Sequence, residues 1–196
     1  YGAQIQELKK IMEKEDYVHG SATSSQEDIA NSYQEYLFQN VKIKRGINLV
    51  IDGGNGVGGH FTLPLLERFG CTINALNCEP DGRFPNHFPD PTVEENLTQL
   101  IETVAEKKAE LGIAFDGDAD RLGVISDKGE IIWGDKLLIL FSRYILKEKP
   151  GATIIGEVKC SQTLYDDIAK NSGRAIMWKA GHSLIKAKMK EEKAVL

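Results

Sequence analysis

Apolar residues recur at Ile5, Leu8, Ile11 and Met12, three or four positions apart with polar residues between them. That spacing predicts a helix over residues 1–16. The small polar run Gly20-Ser21-Ala22-Thr23-Ser24-Ser25 reads as a loop or linker. Ile29, Tyr33, Tyr36 and Leu37 then rebuild a helical stripe over 28–40. From residue 46 the pattern changes. Ile47-Asn48-Leu49-Val50-Ile51 reads as a strand, followed by a glycine-rich turn over 52–59 and a helix over about 60–69. Cys71 to Asn77 gives a second strand. A long loop then holds Pro80, Pro85, Pro89 and Pro91, four of the six prolines. Thr92 and Glu95 have capping-box spacing and predict the start of a helix running to about Lys108. Leu111 to Phe115 is a third strand, and strands near 122–126 and 130–133 flank the turn Asp127-Lys128-Gly129. A second series follows: helix 135–148, the break Lys149-Pro150-Gly151, strand 152–158, helix 161–171, strand 174–178 and helix 182–193.

Strand–helix alternation at this length predicts an α/β fold of right-handed β-α-β units with a mostly parallel sheet. At roughly 150 residues per domain, 196 residues make about 1.3 domains. The two series separated near residue 130 predict two similar mixed-sheet α/β domains, the second incomplete. The expected division is a helical lead-in over 1–40, one α/β domain over 41–130 and part of another over 131–196. The chain starts at Tyr1 and ends on the apolar Ala194-Val195-Leu196, which suggests a piece of something longer.

Charge narrows the partners. Lys plus Arg number 24 and Asp plus Glu 29, a formal net charge of −5. Nucleic acid or an anionic membrane as main partner would need a basic face, so neither is expected. No apolar run approaches the roughly 18 residues of a membrane span, and no charged-then-apolar leader opens the chain. The three cysteines form no Cys-x-x-Cys, and an odd count suits reduced thiols in a cytoplasmic protein.

The candidate chemistry centres on Asp116-Gly117-Asp118-Ala119-Asp120-Arg121, just past a buried strand. On an extended segment, carboxylates at i, i+2 and i+4 turn to one side. Without a counter-charge, two carboxylates about 5 Å apart repel by about 3 kcal/mol at an effective dielectric near 20. A hard divalent cation removes that cost, and oxygen-only ligands favour Mg²⁺ or Ca²⁺. The bland alternative is a solvated acidic turn. An EF-hand fits poorly, because Arg121 stands where its loop needs Gly and Asp127 where it expects Glu. Arg121 either pairs with one of the acids or stabilises charge on a transferring phosphoryl group. Gly54, Gly56 and Gly59 have the G-x-G-x-x-G spacing of a dinucleotide site, with Glu79 about 20 residues on. The same glycines equally suit a tight strand-to-helix turn, and Asp52 would put negative charge where a pyrophosphate sits. The proline-rich loop carries Arg83, Asn86 and His87. Lys159 and His182 stand at a strand end and a helix start, places that favour anions.

Several stretches recur in one order: Val50 to Val57, Pro85-Asn86-His87-Phe88-Pro89-Asp90-Pro91, Ala114 to Arg121, Val158-Lys159-Cys160 and Gly181-His182-Ser183-Leu184-Ile185-Lys186. Together they resemble the α-D-phosphohexomutase superfamily, and within it the bacterial phosphomannomutase/phosphoglucomutase family, from about residue 28 to the end. The resemblance implies the second domain and the first part of the third domain of a four-domain enzyme. It implies that Asp116, Asp118 and Asp120 hold Mg²⁺ and that Arg121 lies beside a phosphoserine and the transferring phosphoryl group. It places Lys159 and His182 at the bound sugar phosphate, with His182 assisting proton transfer. The implied substrates are mannose and glucose 1- and 6-phosphates, interconverted through a 1,6-bisphosphate; phosphoglucosamine interconversion is a sister specificity. Ala119 stands where the family usually has Gly, and Ala180 where Thr often precedes Gly-His-Ser. No Thr-Ser-His-Asn-Pro phosphoserine loop occurs in these residues, so the 196-residue chain alone is expected not to turn over. A nucleotide-binding domain and a non-catalytic Mg²⁺- or Ca²⁺-binding module are the rival readings.

Overall fold

The run Asn48–Asp52 is buried along nearly its whole length because both of its faces are covered, and it becomes β1, an inner strand. In the computed structural model, which describes residues 2–196, the chain divides into two compact units. Ile29–Tyr144 forms one unit around a five-stranded sheet of order β2-β1-β3-β4-β5. The strands after β1 are β2 (Thr72–Leu76), β3 (Leu111–Phe115), β4 (Leu122–Ser126) and β5 (Ile131–Ile132). β1 runs parallel to β2 and β3, whereas β3–β4 and β4–β5 are antiparallel. The sheet is therefore evenly mixed rather than mostly parallel. The reason is loop length: the acidic stretch 116–121 and the turn at 127–129 are too short for a crossover and can join only antiparallel neighbours.

Two helices cover the sheet. The helix α3 (Gly58–Arg68) follows β1, and α4 (Thr98–Lys107) precedes β3. Leu100 and Val104 of α4 join Val50, Ala114 and Ile125 in the core, each large side chain contributing about 2 kcal/mol by burial. Gly112 of β3 lets α4 approach, since a Cβ there would come within 2.7 Å of Val104. The helix itself starts differently from expectation. A short 3-10 turn (Glu94–Leu97) leads into α4, and neither start has a side-chain cap. The expected capping box is not formed, because the Thr92 hydroxyl and amide both donate to Asp90 Oδ1 instead.

Helix α2 (Ala30–Asn40) packs on α3. Gln34 donates to the Phe61 carbonyl, Arg68 pairs with Glu35, and the Arg68 guanidinium lies 4.2 Å over the Phe38 ring. At the amino end of β1, Arg45 pairs with Glu110, which also accepts from the Asn48 amide. The Arg45 side-chain bond, first among these causes, pulls the Glu110 carboxyl from an ordinary 4.5 down to about 2. A depressed carboxylate pKa stabilises the fold above the unfolded value and loses that contribution as pH falls through the folded value. The melting-temperature gap between the natural protein and Glu110→Gln is therefore expected to be constant above about pH 4.5 and to close as the pH falls toward 2. Thermal melts across that range check it; a gap unchanged at pH 2 would refute the pairing.

The other unit combines the residues up to Asp28 with Ile145–Leu196. It contains α1 (Ala3–Glu13), the end of α5 (Gly134–Glu148), and a two-stranded parallel sheet of β6 (Thr153–Glu157) and β7 (Arg174–Trp178). Helix α6 (Gln162–Lys170) connects those strands. It is capped by Ser161, whose hydroxyl accepts from the Thr163 amide, and it buries Leu164 and Ile168. Helix α7 (His182–Glu192) follows β7, and the chain then returns along β6, where the Val195 amide donates to the Thr153 carbonyl. Among the described residues no helix is long and apolar enough to cross a membrane.

Candidate metal centre and its supporting loops

The strand order puts the loops after β1 and β3 side by side. The chain steps from β1 outward to β2 and then back to the other side of β1 as β3. At such a reversal, ligands bind beyond the carboxyl ends of the strands. Asp116–Arg121 occupies that position as the hairpin connection from β3 to β4. Its carboxylates do not converge by the alternation of an extended segment. The Ala119 amide donates to the Asp116 carbonyl, Ala119 adopts φ +59°, and the resulting turn curls the three acids toward one another. One carboxylate oxygen from each of Asp116, Asp118 and Asp120 lies within 4.8 Å of the others, the one such cluster among the described residues. Ligands on opposite sides of a Ca²⁺ at 2.4 Å stand about 4.8 Å apart, and neighbouring ligands of a Mg²⁺ at 2.1 Å about 3 Å. The all-oxygen donor set fits a hard divalent cation, with Asp118 and Asp120 exposed and free of the packing that fixes Asp116.

Ala119 stands in a left-handed conformation that costs an L-residue about 1 kcal/mol. The Ala-for-Gly difference is therefore not conformationally neutral. Ala119→Gly is expected to raise the melting temperature by a few degrees without moving the carboxylates. A lower melting temperature in a calorimetric scan would contradict this.

Asp116 is buried. Its Oδ1 accepts from the Arg121 amide at 2.8 Å and its Oδ2 from Arg121 Nε at 2.7 Å. Burial opposes its ionisation, but the amide and guanidinium of Arg121 outweigh that and hold the carboxyl below its usual range. The Arg121 guanidinium also donates from Nη1 to Asp90 Oδ1 at 2.9 Å, so it pairs with two acids and still leaves its side chain 47% exposed. Those two bonds, led by the Asp116 one, push its pKa up.

The glycine loop supports the acidic loop rather than presenting itself to a ligand. Five successive amides of it are already used: Gly53 to Leu76 O, Gly54 to Asp52 Oδ1, Asn55 to Asn77 O, Gly56 to Gly53 O and Val57 to Gly117 O. A pyrophosphate would need those donors free. The glycines are required by close approach, since a Cβ at Gly56 would lie 2.5 Å from the Gly117 carbonyl oxygen. From the other side the proline-rich loop locks the same turn. Asn86 donates to the Asn55 side chain at 2.8 Å, and His87 Nε2 meets the fully buried Asp52 at 3.0 Å. His87 Nδ1 faces the Phe88 carbonyl at 3.0 Å.

Sequence reasoning does not single out Asp52, Asn55 and Asp90 as supports of the site, and it names His87 only as a residue of the proline-rich loop. The available signals were an acid closing an apolar strand and a polar residue between two prolines. Beside the acidic loop, a cleft of about 450 Å³ between α2 and α3 is lined by Tyr33, Val57, Phe61, Phe115 and Asp118, among others. The structure thus gathers Asp116, Asp118, Asp120 and Arg121. Lys159 and His182 belong to the other unit. Lys159 follows β6, 74% exposed and 3.3 Å from Glu157, and His182 is the exposed first residue of α7, after Gly181 at φ +121°.

Family models locate this geometry. Residues 31–129 match phosphoglucomutase/phosphomannomutase, alpha/beta/alpha domain II, and residues 133–196 match domain III. The chain belongs to the phosphoglucomutase/phosphomannomutase family. It is 46% identical over 193 residues to a phosphomannomutase/phosphoglucomutase of Pseudomonas aeruginosa, covering 98% of this chain and 42% of that protein. A phosphoglucomutase of Neisseria gonorrhoeae is 46% identical over 199 residues, with 100% and 43% covered. Among solved structures, a phosphoglucomutase/phosphomannomutase family protein of Burkholderia thailandensis superposes with a TM-score of 0.95 at 43% identity, covering 99% of this chain and 42% of that one. The chain thus spans about two fifths of the length of the relatives it matches. Its architecture is that of the family's α/β/α domains II and III, with a mixed sheet, a second small sheet and an N-terminal helix.

Proposed function

We propose that this chain is the part of a phosphohexomutase that supplies its metal loop, and that the whole protein interconverts hexose 1- and 6-phosphates, with mannose and glucose phosphates as substrates. The observation that carries the reading is the hairpin Asp116–Arg121, in which three clustered carboxylates adjoin a doubly anchored guanidinium. In the proposed division 41–130 is domain II, 131–196 is part of domain III, and residues 1–40 precede them. Asp116, Asp118 and Asp120 would hold Mg²⁺. Bound there, Mg²⁺ would neutralise charge on a phosphoryl group and polarise its oxygens.

The chain's own residues divide the remaining work. Arg121 binds the oxygens of the phosphoryl group as it passes between serine and sugar, a transfer in which the charge lies mainly on those oxygens. Lys159 binds the sugar phosphate. His182 takes the proton released when the sugar hydroxyl forms its new bond to phosphorus, and returns it to the departing oxygen in the reverse step. The serine that carries the phosphoryl group is assigned to the part of the relatives' length that this chain does not cover. The thiols Cys71, Cys78 and Cys160 suit a reducing compartment, and we place the protein in the cytoplasm.

The test is turnover of glucose 1-phosphate and mannose 1-phosphate by the full-length protein, with and without Mg²⁺. The expected result is formation of the 6-phosphates, strictly dependent on the metal. Full activity after chelation would remove the metal assignment, and no turnover of either sugar would remove the mutase reading.

A further inference from the structure

We propose that Asp90 is a positioning residue that, with Asp116, clamps the Arg121 guanidinium and aims its free end at an incoming phosphoryl group. The proposal rests on the mutase reading above.

A guanidinium carries five N–H donors in a rigid plane. In Arg121, Nε is taken by Asp116 and one Nη1 hydrogen by Asp90, at 2.7 and 2.9 Å. These contacts lie on different sides of the plane's outline, so together they fix its direction as well as its location. The Nη2 group has no partner among the described residues, and nearly half of the side chain is open to solvent. The two Nη2 hydrogens are left to donate to oxygens of a phosphoryl group. A single anchor at Asp116 would leave the plane free to swing, with much of the rotamer entropy of an arginine still to be lost on binding.

Asp90 is built to serve as the second anchor. It lies between the buried Pro89 and Pro91, and the residue before a proline is restricted to extended backbone. The Thr92 hydroxyl and amide hold its Oδ1 at 2.7 and 3.0 Å, while Asn96 holds its carbonyl at 3.0 Å. Pro89 is seated on the loops it serves, within 2.9 Å of where a Gly54 Cβ would stand and 3.6 Å of one at Gly117. The carboxylate is therefore fixed before Arg121 reaches it. Thr92, more than Arg121, keeps it ionised.

The experiment is a double-mutant cycle in the full-length protein, with kcat and KM for glucose 1-phosphate and thermal melts for all four forms. Asp90→Ala is expected to lower kcat by about ten- to a hundredfold, the scale of a misaligned reacting group, with KM changed less than about twofold. In an Arg121→Ala background the same substitution should cost nothing further. Equal losses in both backgrounds, or an unchanged kcat, would overturn the clamp. If Asp90→Ala does not fold, Thr92→Val loosens the same carboxylate and should give a smaller kcat loss that also vanishes without Arg121. The ¹⁵N relaxation of the Arg121 Nε–H group gives a readout independent of turnover. It should report a rigid guanidinium in the natural protein and a mobile one in Asp90→Ala. A natural protein without mutase activity but with that rigidity change would sink the mutase reading and keep the clamp; no rigidity change would sink the clamp.

Discussion

Asp118→Asn in the full-length protein is expected to cut mutase turnover by about a hundredfold or more, the scale on which one electrostatic stabiliser of a transition state is lost. The same change should leave the fold intact or slightly firmer. Asp118 is exposed, so its removal opens no cavity and leaves no buried partner unsatisfied. It lies within 4.8 Å of two other carboxylate groups, and that mutual repulsion weakens the metal-free loop. Thermal melts therefore separate the two effects. A cation that binds only the folded state adds RT ln(1 + [L]/Kd), about 2.7 kcal/mol at a hundredfold excess over Kd. The natural protein should melt higher with Mg²⁺, whereas Asp118→Asn should melt no lower without it and gain little from it. Asp116→Asn should behave differently, because Asp116 is buried and holds the Arg121 amide and guanidinium. It should lose stability with or without metal. An Asp118→Asn protein that keeps the full Mg²⁺-dependent shift would show that the cluster is only a solvated acidic turn.

Much of the fold was readable from periodicity. Strand β1 announced itself through the apolar Leu49-Val50-Ile51, a run that suits a strand covered on both faces. The helices α3 to α7 followed from spacing, with ends that moved by a residue or two except at α4, which starts at Thr98, several residues after the Thr92–Glu95 pair that was expected to open it. The Thr92–Glu95 spacing matched a capping box, yet Asp90 lies nearer to the Thr92 hydroxyl in space and won it. The acidic cluster was legible as a cluster but not in its geometry, since the alternation rule assumes extended backbone and the loop contains a left-handed Ala119. The least legible part was the set of side chains that hold the loops in place. Asp52, His87, Asn55 and Asp90 act through contacts 24 to 35 residues apart in sequence, a separation at which no local pattern operates.

Gly56→Ala should destabilise the unit that contains it by about 3 kcal/mol, lowering its melting temperature by about 10 °C. The added Cβ would sit 2.5 Å from the Gly117 carbonyl oxygen and 2.8 Å from Gly117 Cα. Both are backbone atoms, so no side chain can rotate away and one of the two loops has to move. The contact also lies beside the bond from the Val57 amide to that same carbonyl, at 3.1 Å, which joins the glycine loop to the acidic loop. Movement there displaces the turn that gathers the carboxylates, so the Mg²⁺-dependent rise in melting temperature should shrink as well. Gly117→Ala is the matched control. Its Cβ would find nothing nearer than 3.6 Å, at Pro89, and its φ is not positive, so its melting temperature should change by only a few degrees. The pair distinguishes the two roles of the glycine-rich stretch. If those glycines served a dinucleotide, Gly56→Ala would abolish nucleotide binding in a protein of normal stability. If they serve the close approach of two loops, it damages stability and metal response together, and NAD or ATP affects neither protein. A Gly56→Ala protein with unchanged melting temperature and unchanged Mg²⁺ response would overturn the coupling between the loops, and with it the steric requirement for glycine at position 56.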